Sequence, residues 1–540
     1  MLKSYDNFIK LATQTKISSP ALFLKRKKEI CKELGLPLPT NADIRELYEK
    51  MILEKKIKRN PDLENCLFSK KIRTDSGVAV VAVLTKSYPC PGKCIYCPTE
   101  KEMPKSYLSN EPAVMRAISA KFDPYLQVQR RIHALELNGH KTDKIELIVM
   151  GGTFSYLPKA YQNKFILDCF RACNDYPKSC NMKHETYNKT EKNLKTEQRK
   201  NETAKHRIVG LTLETRPDYI NVEELINFRN LGCTRVELGV QSIFNDVLEK
   251  NKRGHNVQKT VTATKLLKDF GFKINYHIMP GLLGSSIKKD FQMFQELFSS
   301  SSFQPDMLKI YPTVVIRQSP LYKIWKAGKY KALTDKSFEK FILRVKNEII
   351  PPYVRISRLV RDVPESSIIA GPKISNLRQL IAKKSTCPCI RCREVRSDYN
   401  LKEKIILNRI DYPASDGQEI FLEYSTLPLL NKERAGVRSK LFALLRLRIN
   451  NEKSIVPNVL KNSAIIREVH TYGKMNQINQ KDTLSPQHIG LGKKLILEAE
   501  KIAKKEFRLD KIVVISGVGV RGYYRKLGYK LKDSYMVKNL

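Results

Sequence analysis

Between residues 76 and 350 short β-rich apolar runs alternate with helical stretches, and this alternation constrains the fold more than any other feature of the chain. The runs read VAVVAVLT, KIELIVMGG, HRIVGLTLET, TRVELGV, FKINYHIMPG and MLKIYPTVVI, and TVTATKLLKDFG is one of the helical stretches between them. Strand followed by helix, repeated, implies a parallel sheet, either doubly wound or curled into a barrel. About six such units fit, fewer than the eight of a closed barrel. Past residue 405 strands return (EIFLEY, LFALLRLRIN, SAIIREVHTY), then a helix (LGKKLILEAEKIAKKEF) and a strand (KIVVIS). That order predicts a second, mixed α/β domain.

The chain has 540 residues, too many for one ordinary core, so two or three domains are expected. No run of about 18 uncharged apolar residues is present, and the opening MLKSYDNFIKLATQTK lacks the apolar core of a secretory signal. A soluble cytoplasmic protein that spans no membrane is therefore expected. Lys and Arg number 98 against 55 Asp and Glu, a net charge of +43. A field that positive favours a polyanion, and nucleic acid is the usual one. The first 75 residues are Lys-rich and read as short helices; IRELYEKMILEKKIKR is predicted to be a basic amphipathic helix that neutralises RNA phosphates. The polar stretch NDYPKSCNMKHETYNKTEKNLKTEQRKNETAKH reads as a long loop.

Twelve cysteines in such a chain are not a disulfide framework. Half fall in two tight clusters. In SYPCPGKCIYCPTE, Cys90, Cys94 and Cys97 form CxxxCxxC directly after a predicted strand. Three thiolates do not complete a tetrahedral zinc site. They can hold three irons of a 4Fe–4S cluster and leave the fourth iron open to the amino and carboxylate groups of S-adenosylmethionine (SAM). This spacing resembles that of the radical SAM superfamily. Gly151 and Gly152 end the next strand, where that superfamily carries a glycine turn for the SAM amino group; glycine lets the backbone come close. The chain has Gly-Gly-Thr there, so that turn offers no acidic side chain. Glu214, Arg216 and Gln241 end further strands and are candidates for the ribose, carboxylate and amino groups of SAM. Lys309 ends another, as a contact to SAM or acetyl-CoA or as a structural ion pair.

Cys387, Cys389 and Cys392 form CxCxxC between the two predicted domains. Three soft ligands so close suit a zinc staple. His470, at a predicted strand end, is the candidate fourth ligand. Further on, Gln487, His488, Ile489, Gly490, Leu491 and Gly492 open the C-terminal helix. Glycines at a helix start bare the backbone N–H groups, and the helix dipole adds to their hold on a diphosphate. The pattern resembles the CoA loop of GCN5-related N-acetyltransferases (GNAT). Tyr523 or Tyr524, on the following helix, would meet the thioester.

The combination of these elements with GLTLETRPDYI, TRVELGVQS, LKIYPTVVI, EVHTYG and ISGVGVRGYYRKLGY resembles the Elongator catalytic subunit family from about residue 75 onward. The resemblance implies an α/β architecture with a partial (βα)6-type radical SAM barrel and a C-terminal GNAT fold. It divides the chain into a basic helical tRNA-binding region (1–75), a radical SAM domain (76–362), a zinc-binding linker (363–405) and an acetyltransferase domain (406–540). It further implies a tRNA wobble-uridine carboxymethyl synthase with a 4Fe–4S cluster, SAM, zinc and acetyl-CoA as co-substrate. A 5′-deoxyadenosyl radical takes a hydrogen from the acetyl methyl group, the carbon radical adds to C5 of uridine 34, and thioester hydrolysis leaves 5-carboxymethyluridine. The implied partner is the tRNA anticodon stem-loop, with a homodimer or Elongator-like accessory subunits left open. The competing reading is a lysine (histone-type) N-acetyltransferase with a structural iron–sulfur domain.

Overall fold

A computed structural model describes residues 5–14, 19–68, 77–176, 193–361, 363–396, 399, 403–426, 439–473 and 490–540. The first part is helical, as expected. Helices α1 (Asp6–Gln14), α2 (Pro20–Glu33), α3 (Asn41–Leu53) and α4 (Pro61–Leu67) enclose their own core of Phe8, Ile9, Phe23, Ile30, Ile44, Leu47, Tyr48 and Leu63. The basic helix is shorter than the pattern suggested. It starts at a capping box between Thr40 and Asp43 and stops at Leu53, so the cations of KKIKR lie beyond its end.

The alternation then becomes strands β1 (Ala79–Leu84), β2 (Lys144–Met150), β3 (Arg207–Thr215), β4 (Arg235–Gln241), β5 (Lys273–Ile278) and β6 (Met307–Ile310), followed by β7 (Val315–Ile316) and β8 (Arg355–Arg358). The sheet order is β1-β2-β3-β4-β5-β6-β8, parallel throughout. Sequential order with helical crossovers of one hand keeps the helices on one face and curls the sheet into a partial barrel. It has seven strands rather than six; the seventh, RISR, lies past residue 350, beyond the alternation read in the sequence. Strand β9 (Ile368–Ala370) pairs with β7 outside this sheet.

The long polar stretch also holds more structure than expected. Residues 177–192 lie outside the described part, but Leu194–Asn201 is a helix whose buried positions are Leu194, Glu197, Gln198 and Asn201. Their spacing is helical. Three of the four are polar, so the face escapes a hydrophobicity reading. Each is held by hydrogen bonds, such as Asn174 Nδ2 to Glu197 Oε2 at 2.9 Å and Asn201 Nδ2 to the His206 carbonyl at 3.0 Å.

The C-terminal part carries β10 (Ile406–Ala414), β11 (Gly417–Ser425), β12 (Leu441–Ile449), β13 (Ala464–Thr471), β14 (Lys511–Val514), β15 (Lys530–Lys532) and β16 (Tyr535–Asn539). Their order is β10-β11-β12-β13-β14-β16-β15. Only β13 and β14 are parallel, and they pair at just three positions, Ala464–Ile466 with Ile512–Val514. From Arg467 onward they part, which opens a wedge. No described helix is long and apolar enough to cross a membrane.

Buried charge joins the two domains. Lys268, Asp269 and Asp306, beside the N-terminal ends of β5 and β6, meet Glu419, Arg446, Arg448, Arg467 and Glu468 of the second sheet. Arg467 bridges Asp306 (2.5 Å) and Glu419 (2.7 Å). Arg448 bridges Asp269 (2.5 Å) and Glu419 (3.3 Å). Arg446 holds Glu468 at 2.9 Å, and Lys268 lies 3.6 Å from Glu419. Four cations face four carboxylates, and all but Glu468 are at most 1 % exposed. Nearby, a Cβ on Gly517 would overlap the Val209 carbonyl, and one on Gly519 would lie 3.0 Å from that of Ile208. The loop after β14 thus rests directly on the backbone of β3.

Burial alone would raise the Asp306 carboxyl, but Arg467, Lys268 and Arg446 outweigh it and hold it well below the usual carboxylate range. Glu468 and Glu419 are lowered by the same balance. Their stabilisation is therefore complete above about pH 4.3, where free carboxylates are ionised, and is lost as pH falls below that. Asp306→Ala leaves its buried cations uncompensated; chemical denaturation at pH 7 is expected to show a loss of about 3–5 kcal/mol.

Candidate active sites

The C-terminal ends of the barrel strands gather the first set of predicted residues. The loop after β1 carries the cysteines. Cys94 is 3 % exposed; Cys97 and Cys90 are half-buried. Hydrogen bonding from Cys97 and the charge of Arg253 outweigh burial and draw the Cys94 thiol down to about 4, while Cys97 keeps its proton. Arg253 Nη1 lies 3.5 Å from Cys94 Sγ. The three thiols are not among the donor sets gathered within 4.8 Å. A single ion would need such a gathering; a cubane holds each thiolate on its own iron, and this loop suits the second arrangement.

The glycine turn after β2 faces this loop. Gly151 and Gly152 have φ of +133° and +99°, and a Cβ on Gly151 would overlap Thr85 Oγ1, so only glycine fits. Their N–H groups both donate to Glu214 Oε2 at 3.3 Å, and Tyr107 donates to it at 2.7 Å. The turn thus fixes the carboxylate that ends β3. Two residues on, the Arg216 guanidinium forks onto Asp218 at 2.9 and 2.7 Å and donates to the Arg253 carbonyl at 2.8 Å. Arg216 Nη1 is buried and has no hydrogen-bond partner among the described residues. It points at the cysteine loop, where a Cβ on Gly92 would overlap it. Gln241 ends β4 with φ of +69°, and its buried Oε1 is also without a partner. A strained, under-bonded side chain at a strand end is a mark of a functional site.

Below this mouth the lumen is polar. Glu237 accepts from His277 Nε2 (3.0 Å) and Asn275 Nδ2 (3.3 Å), and Lys309 Nζ sits against its Oε2. Lys309 therefore makes an ion pair, the structural alternative raised for it. Glu214, Glu237 and His277 place donor atoms within 4.8 Å of one another, but the ammonium of Lys309 already balances Glu237. Sequence reasoning did not single out His277, Tyr107 or Arg253. The signal for His277 was present: Lys273, Asn275 and His277 alternate with Ile274, Tyr276 and Ile278, so one face of β5 is polar and lines the lumen.

In the linker, Cys387, Cys389 and Cys392 bring their sulfurs within 4.8 Å. His470 is not in that group, and its ring lies against Tyr472 with centroids 4.3 Å apart. Lys346 stands beside the linker thiols, with Nζ 3.3 Å from Cys392 Sγ.

At the second site, Gln487, His488 and Ile489 lie outside the described residues. Gly490, with φ of +76°, caps the helix Leu491–Lys505, and Gly492 lies against the half of β13 that pairs with β12 but not with β14: a Cβ there would be 3.4 Å from Thr471 Oγ1 and 3.7 Å from the Tyr523 hydroxyl. Tyr523 is 43 % exposed and reaches this helix start. Tyr524 is 6 % exposed and packs edge-on against Tyr529. The two neighbours thus divide, one toward the wedge and one into the core.

Residues 85–294 match the model of the radical SAM superfamily, and residues 305–386 match that of the radical SAM C-terminal domain. The chain is 44 % identical to a tRNA uridine(34) acetyltransferase of Methanocaldococcus infernus, over 94 % of this chain and 92 % of that protein. The chain belongs to the Elongator complex protein 3 family. Elongator complex protein 3 of Homo sapiens is 38 % identical over 88 % of this chain and 86 % of its own. Among solved structures, the N-terminally truncated archaeal Elp3 of Methanocaldococcus infernus aligns with a TM-score of 0.70 at 42 % identity, over 86 % of this chain and all of that one.

Glu237→Gln removes the nearest counter-charge of Lys309 in the lumen. A loss of about 3–5 kcal/mol is expected at pH 7. It should shrink as pH rises toward 10, because an ammonium without a counter-ion releases its proton more readily when folded than when unfolded. Thermal unfolding across that range checks both the size and the sign.

Proposed function

We propose that this chain modifies uridine 34 of tRNA, taking a two-carbon unit from acetyl-CoA and forming 5-carboxymethyluridine by radical chemistry. The observation that carries the reading is the convergence of the cysteine loop, the Gly151–Gly152 turn, Glu214 and Arg216 at one end of a parallel barrel, in a chain whose second sheet has a helix-capped wedge. Cys90, Cys94 and Cys97 would hold a 4Fe–4S cluster. The chemistry that a bound cluster supplies, with SAM on its open iron, is one-electron cleavage of the sulfonium to a hydrogen-abstracting radical.

The chain's own residues orient the reactants. Arg216 has Nη1 to give to the SAM carboxylate. Glu214, fixed by the glycine turn, and Gln241, with a free carbonyl oxygen, take its amino and ribose groups. Backbone N–H groups from Gly490 to Gly492 hold the CoA diphosphate at the helix start, with Gln487, His488 and Ile489 completing the loop. Tyr523 donates its hydroxyl proton to the thioester carbonyl, while Tyr524 supports the helix from below. The surplus of 43 positive charges binds the anticodon stem-loop by neutralising phosphates. In the linker, three sulfurs within 4.8 Å suit one zinc ion, since Zn–S bonds of ~2.3 Å in a tetrahedron put sulfurs ~3.8 Å apart.

The test is anaerobic reconstitution with iron and sulfide, then SAM, acetyl-CoA, a reductant and tRNA. 5′-Deoxyadenosine and a carboxymethylated uridine 34 are the expected products, and Cys94→Ala should yield neither. Tyr523→Phe is expected to slow thioester consumption about 10²-fold, the scale for losing one oxyanion donor, and Tyr524→Phe far less. Iron-loaded protein that makes neither product overturns the proposal.

A further inference from the structure

Arg253 is a buried cation without a carboxylate. It is 5 % exposed, and among the described residues no Asp or Glu forms an ion pair with it. Its Nη2 donates to the Gly239 carbonyl, its Nε has no partner, and its Nη1 is turned to Cys94 Sγ at 3.5 Å. Two other arginines of this mouth are already balanced by carboxylates. Arg216 is forked onto Asp218, and Arg361 pairs with Glu111 at 3.2 Å. A guanidinium taken out of water costs several kcal/mol unless an anion meets it. The anion that Arg253 faces is a thiolate of the cysteine loop.

The segment that carries Arg253 is also pinned in place. The Asn251 carbonyl accepts from Ile95 N at 3.2 Å, inside the cysteine loop. The Arg253 carbonyl accepts from Arg216, and Asn251 Nδ2 donates to the Val247 and Leu283 carbonyls at 2.7 and 2.9 Å. The guanidinium is thus held against Cys94 by hydrogen bonds to the backbone on both sides.

We propose that Arg253 is the built-in counter-charge of the cysteine-bound cluster, a positioning residue that sets its reduction potential. The inference rests on the iron–sulfur reading of Cys90, Cys94 and Cys97. Reduction adds a negative charge at the cluster. A fixed positive charge and a hydrogen bond to a ligand sulfur stabilise the reduced state over the oxidised one, and so raise the potential. Arg253 thereby makes the electron easier to load, before SAM enters.

The experiment is an EPR-monitored redox titration of full-length, SAM-free, reconstituted protein, with iron and sulfide assayed alongside, for the wild type, Arg253→Met and Arg253→Lys. Arg253→Met is expected to shift the midpoint to more negative potential, or to lose the cluster. Arg253→Lys, which keeps the charge, is expected to retain the cluster with a midpoint near that of the wild type. If Arg253→Met titrates as the wild type does, or if Arg253→Lys fails in the same way as Arg253→Met, the counter-charge role is overturned. If the wild type itself takes up no cluster, the reading of the cysteine loop falls first, and that result is distinct.

Discussion

The buried charge at the domain boundary fixes everything else in relation to everything else. Asp306, Glu419, Arg446, Arg448 and Arg467 are at most 1 % exposed, and none could be buried alone at tolerable cost. Each is neutralised by a group from the other domain. Apolar surfaces could slide past one another at small cost. A guanidinium bridging two carboxylates, one from each domain, cannot. This network therefore sets the angle and register of the two sheets, and the close approach of Gly517 to Val209 is possible only in that register.

The network also decides which ends of the barrel are free. The second sheet touches Arg207–Gly210, Gly271–Lys273, Asp306 and Tyr353–Arg355, all on the N-terminal side of the strands. The C-terminal ends, with the cysteines, Glu214, Arg216 and Gln241, stay clear of it. This is the side on which barrel enzymes build their chemistry. From Lys273 to Ile278 the strand β5 advances about 17 Å, at ~3.3 Å per residue. The lumen between is lined by Lys273, Asn275, His277, Glu237 and Lys309 rather than by apolar side chains. A polar interior is expensive, and here each charge has its partner, Glu468 for Lys273 and Glu237 for Lys309.

How much of this was legible in the sequence follows from the range of the interaction concerned. Features set by neighbouring residues could be read. Strand and helix periods gave the parallel sheet, and CxxxCxxC and the glycine loop marked the candidate sites. Features set by long-range pairing could not. RISR does not read as a strand because its place in the sheet comes from pairing with β6, not from its own pattern. Leu194–Asn201 looked like a loop because its buried face is polar and is satisfied by Asn174 and His206. The Tyr523 and Tyr524 pair was separable only once the wedge between β13 and β14 was in view.

Arg253 belongs to the same class, and it shows what a static charge inventory adds to a motif. Nothing in NKRGHN marks that arginine for function; most arginines lie at the surface with a carboxylate or water nearby. What marks it is a deficit, a buried cation with no carboxylate partner among the described residues. Arg216 and Arg361, in the same pocket, have theirs. An enclosed charge with no carboxylate partner among the described residues, beside neighbours that have theirs, reports on what the pocket is built to hold. Three thiolates alone would be repelled by a further electron arriving among them. Under the proposed reading, a pinned guanidinium 3.5 Å from one of those sulfurs offsets the charge that the electron adds.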